Sequence, residues 1–278
     1  MPFEQATADI AFDQLSRYVA KLGRKPAPKS VHRFRTYSRR VETILGELAA
    51  ELSRNDKKLL RALAKMRKKA GRVRDLDVQI GALRNLRIPS EPDRKARLMR
   101  TMVEERTRRE GKLPKLFDGD TVAELRRRLK RAAKKLDIPA QADPVAKALS
   151  LFADVRKEPG AVSESKLHEY RIIGKRARYL AEMAGKDAEA QRVGEQLKQM
   201  QDAIGDWHDW LKLTERARHL FGGVQESSLV AAMQNLTRAK FRHALDAVAR
   251  TQAALSPKPA AIEPPRPSPA QAAQATAA

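Results

Sequence analysis

The segment VHRFRTYSRR at residues 31–40 decides how this 278-residue chain is organised, because residues 167–176 read LHEYRIIGKR. Each segment begins with an apolar residue and His, and continues with an aromatic residue, an Arg and, four positions after that Arg, a pair of basic residues. The two segments lie 136 positions apart. Recurrence of the same residue types at the same spacing predicts an internal structural repeat.

The repeat extends beyond these two segments. LAKMRKKAGRVRDL at 63–76 aligns with LKQMQDAIGDWHDW at 197–210 when the shift is 134, so two residues are lost in a loop between the aligned blocks. The alignment superposes Leu63 on Leu197, Met66 on Met200, Gly71 on Gly205 and Asp75 on Asp209. We therefore predict two related halves, residues 1–137 and 138–252.

The sequence predicts an all-α protein. Ala, Leu, Arg, Lys and Glu dominate, apolar residues recur at helical spacing, and strand-like alternation is missing. The predicted helices span 7–22, 30–52, 56–86, 93–110, 120–136, 144–156, 163–185, 187–221 and 226–252. Each half needs a partner face for its apolar side, so we predict two pseudo-symmetric four-helix-type bundles packed as one unit. The Pro/Ala/Gln-rich tail at 253–278 lacks the apolar residues for a core and is predicted to be disordered.

The large excess of positive charge limits the kinds of ligand that the protein is expected to bind. Lys and Arg number 57 against 34 Asp and Glu, which gives a formal net charge of +23 and favours nucleic acid, an anionic membrane surface or a phosphate polymer. Cysteine is absent, which excludes disulfides and thiolate metal sites. No apolar run reaches membrane-spanning length and MPFEQATADI has no signal-peptide pattern, so we expect a cytoplasmic protein without membrane insertion.

Helical geometry separates the basic residues from the core-facing residues. At about 100° per residue, His32, Arg35 and Arg39 share a stripe opposite the apolar face of their helix. The second segment repeats the stripe with His168, Arg171, Lys175 and Arg178, and Arg40 and Arg176 flank the two stripes. A further stripe on helix 56–86 consists of Arg61, Lys65, Lys68 and Arg72. A solvated surface helix normally mixes charges of both signs, so these stripes favour a polyanionic ligand, whereas RRRLKRAAKK at 126–135 could equally be a solvated face.

Four segments carry a resemblance to a known family. VHRFRTYSRR, RVRDLDV at 72–78, LHEYRIIGKRARY at 167–179 and MQDAIGDWHD at 200–209 resemble the recurring motifs of the CHAD family, the conserved histidine α-helical domain. The resemblance covers about residues 5–250. It implies two pseudo-symmetric helical bundles with a basic central surface that binds inorganic polyphosphate, and association with polyphosphate granules.

The polyphosphate-binding candidates combine the residues that match the family motifs with two from the stripe on helix 56–86. They are His32, Arg35, Arg39, Arg40, Arg61, Lys65, Arg72, Arg74, His168, Arg171, Lys175, Arg176 and Arg178. Two departures predict that the halves contribute unequally. Glu42 stands where the family usually has a base, and Asp206 and His208 stand where the first half has Arg72 and Arg74.

Two other functions stay open at this point. A helical nucleic-acid-binding protein is the main alternative, although aromatic residues are only 5% of the chain. A metal-dependent phosphohydrolase built on His208, Asp209, His168 and Asp246 is less favoured, and we predict no catalytic residue, metal or cofactor. Asp75 and Asp209 are predicted to orient Arg or His side chains. Trp207 and Trp210 are predicted to pack in the core.

Overall fold

The computed structural model describes residues 3–24, 27–88, 91–156 and 162–256 of the chain, and the regular secondary structure of these residues is entirely helical, with no strand. The predicted all-α class is therefore confirmed. The helices are α1 (Gln5–Arg24), α2 (Pro28–Thr43), α3 (Arg54–Asn85), α4 (Pro92–Glu110), α5 (Gly119–Lys134), α6 (Pro144–Arg156), α7 (Glu164–Ala181), α8 (Ala188–Phe221) and α9 (Ser228–Leu255). None of the described helices is long and apolar enough to cross a membrane.

The predicted boundaries differ most from the observed ones at the ends of three helices. The helix predicted to reach residue 52 ends its regular α turns at Thr43 and continues only as a π-helical segment at Ile44–Leu48. The helix predicted at 163–185, α7, ends at Ala181 and is followed by a 3₁₀ turn at Glu182–Ala184. Helix α9 continues to Leu255, beyond the predicted start of the tail, and residues 257–278 lie outside the described residues.

Local side-chain chemistry explains where several helices begin. Ser53 and Asp56 form a reciprocal capping box at the start of α3, with backbone-to-side-chain hydrogen bonds of 3.0 and 3.2 Å. Ser163 caps α7 by accepting from the backbone N–H of Lys166, and Asp187 and Ser227 cap α8 and α9 in the same way. Such caps satisfy backbone donors that have no partner within the helix. Local hydrogen bonds therefore determine where α3 and α7, two of the helices that carry basic stripes, begin.

The helices pack mainly with their neighbours along the chain. Helix α2 contacts α1 and α3, while α7 contacts α6 and α8, and the contacts that join the two parts of the chain run from α2 to α7 and from α3 and α4 to α8. The larger apolar core draws on helices from both parts, and a smaller one joins α3, α4, α8 and α9. The all-α bundle is observed, whereas the pseudo-symmetry of two halves stays a prediction.

The apolar face of α2 anchors the helix that carries the first stripe. Phe34 is fully buried, and its ring meets that of Phe117 edge-on with centroids 5.2 Å apart. Val31 and Val41 are buried on the same face, whereas His32 is exposed and Arg35 and Arg39 are half-buried on the other side. Burial of this face therefore determines the direction in which the basic stripe points.

We expect Phe34→Ala to lower the free energy of unfolding by about 3–5 kcal/mol, because it removes a fully buried ring and leaves a cavity beside Phe117. Chemical denaturation followed by helical circular dichroism measures the change. The exposed neighbour Arg33 provides the control, since Arg33→Ala should change the stability by less than about 0.5 kcal/mol. Equal effects of the two substitutions would contradict the packing of α2 described above.

Candidate functional site

Helices α2, α3, α7 and α8 surround a central cleft of about 560 Å³. The cleft forms where the two stripe-bearing helices α2 and α7 pack against each other beside the α3–α8 contact. Its charged lining comprises His32, Arg35, Arg39, Arg74, Arg171, Lys175 and Arg178 together with Asp75, Asp202, Asp206 and Asp209. The structure thus brings seven of the thirteen predicted ligand-binding residues into one cavity.

The cleft carries more positive charge than its carboxylates compensate. Six Arg and Lys side chains face four Asp side chains, and Asp206 is bound at 2.7 Å by Lys240, which reaches it from α9. The six Arg and Lys side chains that line the cleft divide into two groups. Arg35 and Arg178 approach carboxylates, at 3.6 Å from Asp75 and 3.4 Å from Glu182 respectively. Four others have no ion-pair partner among the described residues: Arg39, Arg74, Arg171 and Lys175.

Arg35 occupies a position that glycine makes possible. Its guanidinium lies directly over Gly71 on α3, where an added Cβ would collide with Nη1, and the same Nη1 donates to the backbone carbonyl of Arg67 at 3.4 Å. Burial is the main cause that lowers the pKa of Arg35, and Asp75 opposes this shift. The predicted orienting role of Asp75 thus agrees with its ion pair to Arg35.

The second half holds its equivalent arginine differently. Gly205, which aligns with Gly71, has open space where a Cβ would be added. The Nε atom of Arg171 is buried and has no hydrogen-bond partner among the described residues, whereas the buried Nε of Arg178 forms no hydrogen bond there but lies 3.4 Å from a carboxylate oxygen of Glu182. Buried donors are normally satisfied, so the Nε–H group of Arg171 is available to an acceptor that enters the cleft.

Lys175 sits where the cations of the two helices converge. Burial lowers its pKa to about 7, and repulsion by Arg171, Arg39 and Arg35 acts in the same direction, while Asp209 opposes it. A lysine with this pKa loses part of its charge near neutral pH, because the cleft disfavours another positive charge. A bound polyanion would remove that penalty and favour the charged form.

Both predicted histidines are exposed, and His32 lines the cleft whereas His168 does not. Partial burial lowers the pKa of His32, and Arg74 and Arg33 add to the shift. The pKa of His168 is lowered by burial and then by Arg171, and its ring lies 6.4 Å from that of His208. Both imidazoles are therefore mainly neutral at pH 7 in the ligand-free protein.

Two of the predicted binding residues have carboxylate partners on the opposite half. Arg40 donates to Glu182 from both Nε and Nη2, at 3.0 and 2.6 Å, and its guanidinium also covers the ring of Tyr37. Arg176 forms the reciprocal ion pair with Glu47, in the segment that follows α2. These two ion pairs connect α2 and α7 outside the lining of the cleft, so we assign Arg40 and Arg176 to the interface between the helices.

Three other predicted residues lie on the outside of α3. Arg61 and Lys65 are exposed and do not line the cleft. Arg72 borders a neighbouring cavity of about 610 Å³ between α3, α4 and α8. That cavity is lined by buried Leu and Met side chains, and the other arginines around it are paired: both Arg216, at 2.5 Å, and Arg109 bind Glu105.

Some cleft residues were not found by sequence reasoning. Gln201 is buried and donates to the backbone carbonyl of Gly174 at 2.5 Å, which ties α8 to α7 beneath the cleft. Arg67 is bound by Glu42 at 2.7 and 2.9 Å, so the departure at Glu42 has a structural partner. The repeat alignment pairs Asp206 with Arg72 and so indicated an acidic residue on α8, but no sequence pattern indicated Asp202. Trp207 and Trp210 are buried, as predicted.

Comparison with known proteins identifies the family. The model of the CHAD domain matches residues 6–218, which include all four motifs and every residue of the central cleft. This chain belongs to the CHAD family. The resemblance inferred from the motifs is thereby confirmed, and the central cleft lies between the two helices that carry the histidine motifs of this CHAD domain.

A solved CHAD structure has the same fold. The crystal structure of the CHAD domain from the plant Ricinus communis matches this chain with a TM-score of 0.63 and 15% sequence identity, and the match covers 90% of this chain and 89% of that chain. At this identity the match supports the fold alone. A search of curated proteins finds no match for this CHAD domain.

The crowding of cations makes a prediction for the ligand-free protein. In lysine labelled with ¹³C at Cε, the resonance that disappears in Lys175→Arg should titrate with a pKa of about 7, far below the usual lysine value. Arg171→Gln should raise this pKa, because it removes a neighbouring positive charge. A pKa in the usual range of lysine for this resonance in the folded parent protein would contradict the burial of Lys175 among the cations of the cleft.

Proposed function

We propose that this CHAD domain binds inorganic polyphosphate in the central cleft without catalysing a reaction, and that it does so at polyphosphate granules in the cytoplasm. The observation that carries the proposal is the convergence of Arg39, Arg74, Arg171 and Lys175, none of which has an ion-pair partner among the described residues. Partly buried cations without counter-charges cost free energy, and a polyanion in the cleft would offset that cost.

The chemistry of the cleft matches a phosphate polymer. Polyphosphate offers acceptor oxygens along its whole length and about one negative charge per unit. Arginine presents a planar fork of donors that suits phosphate oxygens, and the buried Nε–H group of Arg171 has no acceptor among the described residues. The polymer would meet cations from α2 and α7 at the same time. Contact at one half raises the effective concentration of the chain at the other half.

A nucleic-acid ligand is less well supported by the aromatic residues. Single-stranded nucleic acids are usually bound by aromatic rings on which the bases stack. In the cleft the aromatic lining residue is Tyr179, which is buried and has the guanidinium of Arg178 over its ring at 5.0 Å. Tyr37 is covered by Arg40 and stacked on Tyr18. These rings are not free to receive bases.

A phosphohydrolase site is not favoured by the placement of its candidate residues. Asp209 lines the cleft with its carboxylate 3.8 Å from His208, whereas Asp246 does not line the cleft. Among the residues that the structure describes, no three His, Asp or Glu side chains come together in a way that could hold a metal ion. The cations around His168 would also repel a metal ion.

Binding should be coupled to protonation of Lys175. Because its pKa in the free protein is about 7, a falling pH increases the charged fraction between about pH 8 and 6. A polyanion binds the charged form more tightly, so affinity should rise as pH falls through this range and binding should take up a proton. The histidines, whose pKa values are lowered, would add to this effect at lower pH.

Removal of charge from either side of the cleft should weaken polyphosphate binding. We expect Arg35→Ala with Arg39→Ala, and separately Arg171→Ala with Lys175→Ala, to lower the affinity for long-chain polyphosphate at least about tenfold, since hydrogen bonds to charged groups contribute about 1.5–3 kcal/mol each. The salt dependence of binding should become weaker in both variants. Fluorescence anisotropy across a salt series measures both quantities.

The matched control removes two exposed arginines from α9. Arg238→Ala with Arg242→Ala produces the same change in net charge away from the cleft and should bind like the parent protein. The parent should also prefer polyphosphate to single-stranded DNA, duplex DNA and RNA of equal charge at near-physiological salt. Equal affinities for all four polymers would favour the nucleic-acid alternative, and parent-like binding by both cleft variants would exclude the cleft as the site.

Catalysis is tested separately. We expect no release of phosphate from polyphosphate or nucleotides in the presence of Mg²⁺ or Mn²⁺, because the cleft presents cations where a hydrolase would need carboxylate and imidazole ligands. A malachite-green assay of the purified chain measures phosphate release. Metal-dependent release that His208→Ala or Asp209→Ala abolishes would overturn the non-catalytic assignment.

A further inference from the structure

The outer face of α3 carries a second basic surface outside the cleft. We call it the α3 ridge. All of its members are exposed, and they are Lys57, Lys58, Arg61, Lys65, Lys68, Lys69 and Arg72. Residues 57–72 contain no Asp or Glu. The ridge therefore has no acidic residue of its own to balance its charge.

The cations of the α3 ridge also lack partners on other helices. No ion pair joins any of them to a carboxylate in the part of the chain that the structure describes. Helices α4, α5 and α8 differ, because each places acidic residues one turn from basic ones: Arg109 pairs with Glu105, Arg127 with Glu124 and Lys212 with Glu215. On α3 itself, Arg67 lies outside the ridge, and this arginine is bound by Glu42.

Helical geometry places the ridge beside the cleft. At about 100° per residue, the ridge side chains lie within about 60° of Arg72, while Leu63 and Ala70 point to the opposite, core-facing side. Gly71 lies about 100° from Arg72, on the face between these two, and that face meets the cleft where the guanidinium of Arg35 covers Gly71. From Lys57 to Arg72 the ridge is about 22 Å long at 1.5 Å per residue. Helix α3 thus forms a wall with the cleft on one side and the ridge on the next.

We propose that the α3 ridge is a second binding surface for the same polymer, which makes this CHAD domain favour long polyphosphate chains. The proposal rests on the proposed function of the cleft. A chain held in the cleft would continue over the wall formed by α3 and contact the ridge, whereas a chain that fits within the cleft would not reach it. The second contact is then intramolecular, so it adds affinity without a second free ligand.

The charges explain why a polymer suits this surface. Like charges one turn apart on a helix repel each other by about 0.2–0.5 kcal/mol per pair, and a polyanion along the ridge would relieve several such repulsions together. The ridge is convex and built from flexible, exposed side chains, which fit a flexible chain of point-like charges. Each exposed contact contributes only about 0.2–1 kcal/mol, so the surface needs several charges on one ligand.

The test uses two variants with the same change in net charge. The ridge variant carries Arg61→Gln, Lys65→Gln, Lys68→Gln and Lys69→Gln. The control variant carries Arg100→Gln, Arg108→Gln, Arg238→Gln and Arg242→Gln, which replace exposed arginines on α4 and α9. Glutamine is a good helix former, so helicity should be retained in both, as circular dichroism would verify. Affinity for tripolyphosphate and for long-chain polyphosphate is measured over a salt series for each.

We expect the ridge variant to lose at least about tenfold in affinity for long-chain polyphosphate, with a weaker salt dependence, and to bind tripolyphosphate like the parent protein. The control variant should bind both ligands like the parent. Three results would overturn the proposal: unchanged long-chain affinity in the ridge variant, equal losses for both chain lengths, or equal losses in ridge and control variants. A loss of RNA or DNA binding with unchanged long-chain polyphosphate binding would instead assign the ridge to nucleic acid.

The ridge experiment is independent of the one on the cleft. If Arg171→Ala with Lys175→Ala binds both chain lengths like the parent, the proposed function of the cleft fails, whatever the ridge variant does. If that cleft variant loses both ligands while the ridge variant keeps both, only the long-chain inference fails. The two proposals are therefore separated by which variant changes which chain length.

Discussion

The contact between α2 and α7 is the constraint on which the rest of this structure depends, because it brings cations from two helices into one partly buried space. Arg35 and Arg39 approach from one side and Arg171 and Lys175 from the other, and burial, together with repulsion by these arginines, lowers the pKa of Lys175. The arrangement persists because burial of the opposite faces of both helices, with Phe34 and Leu167 fully buried, outweighs that repulsion. The protein therefore uses its core to maintain a cluster of positive charge.

The carboxylates are distributed in a way that keeps the cleft positive while holding its walls together. Glu182 and Glu47 bind Arg40 and Arg176 outside the cleft and so fasten the two helices that repel each other within it. Glu42 fixes Arg67 behind Arg35, and Lys240 holds Asp206 from α9. Basic residues thus serve two purposes: some join helices through ion pairs, and others remain without a counter-charge in the cleft.

The two sides of the cleft are related in sequence but hold their arginines differently. Arg35 is confined over Gly71 and bonded to a backbone carbonyl, while Arg171, its counterpart, has a buried Nε–H without a partner. One side therefore supplies a cation that is held in position, and the other supplies a buried donor that has no acceptor among the described residues. The unequal contribution of the two halves to binding, which the departures at Glu42, Asp206 and His208 predict, stays a prediction. Helix α3 supports Arg35 through Gly71 and the carbonyl of Arg67, and it also carries the exposed α3 ridge. The cleft and the ridge therefore share one helix.

The sequence by itself determined the class of fold, the family and the direction of the stripes. Apolar periodicity predicts helices well because burial of one face is the dominant stabilising term, and the same periodicity placed His32, Arg35 and Arg39 opposite the core. It failed at the ends of α2 and α7, where a π segment and a 3₁₀ turn replace regular turns. Only the tertiary structure decided which basic residues share the cleft. Arg39 and Arg40 are adjacent in the sequence, yet Arg40 is bound by Glu182 and Arg39 has no ion-pair partner among the described residues, because the carboxylate that binds Arg40 lies 142 positions away. Ion pairs and desolvation depend on distances of a few ångströms between elements remote in sequence, and a helical pattern contains no information about those distances.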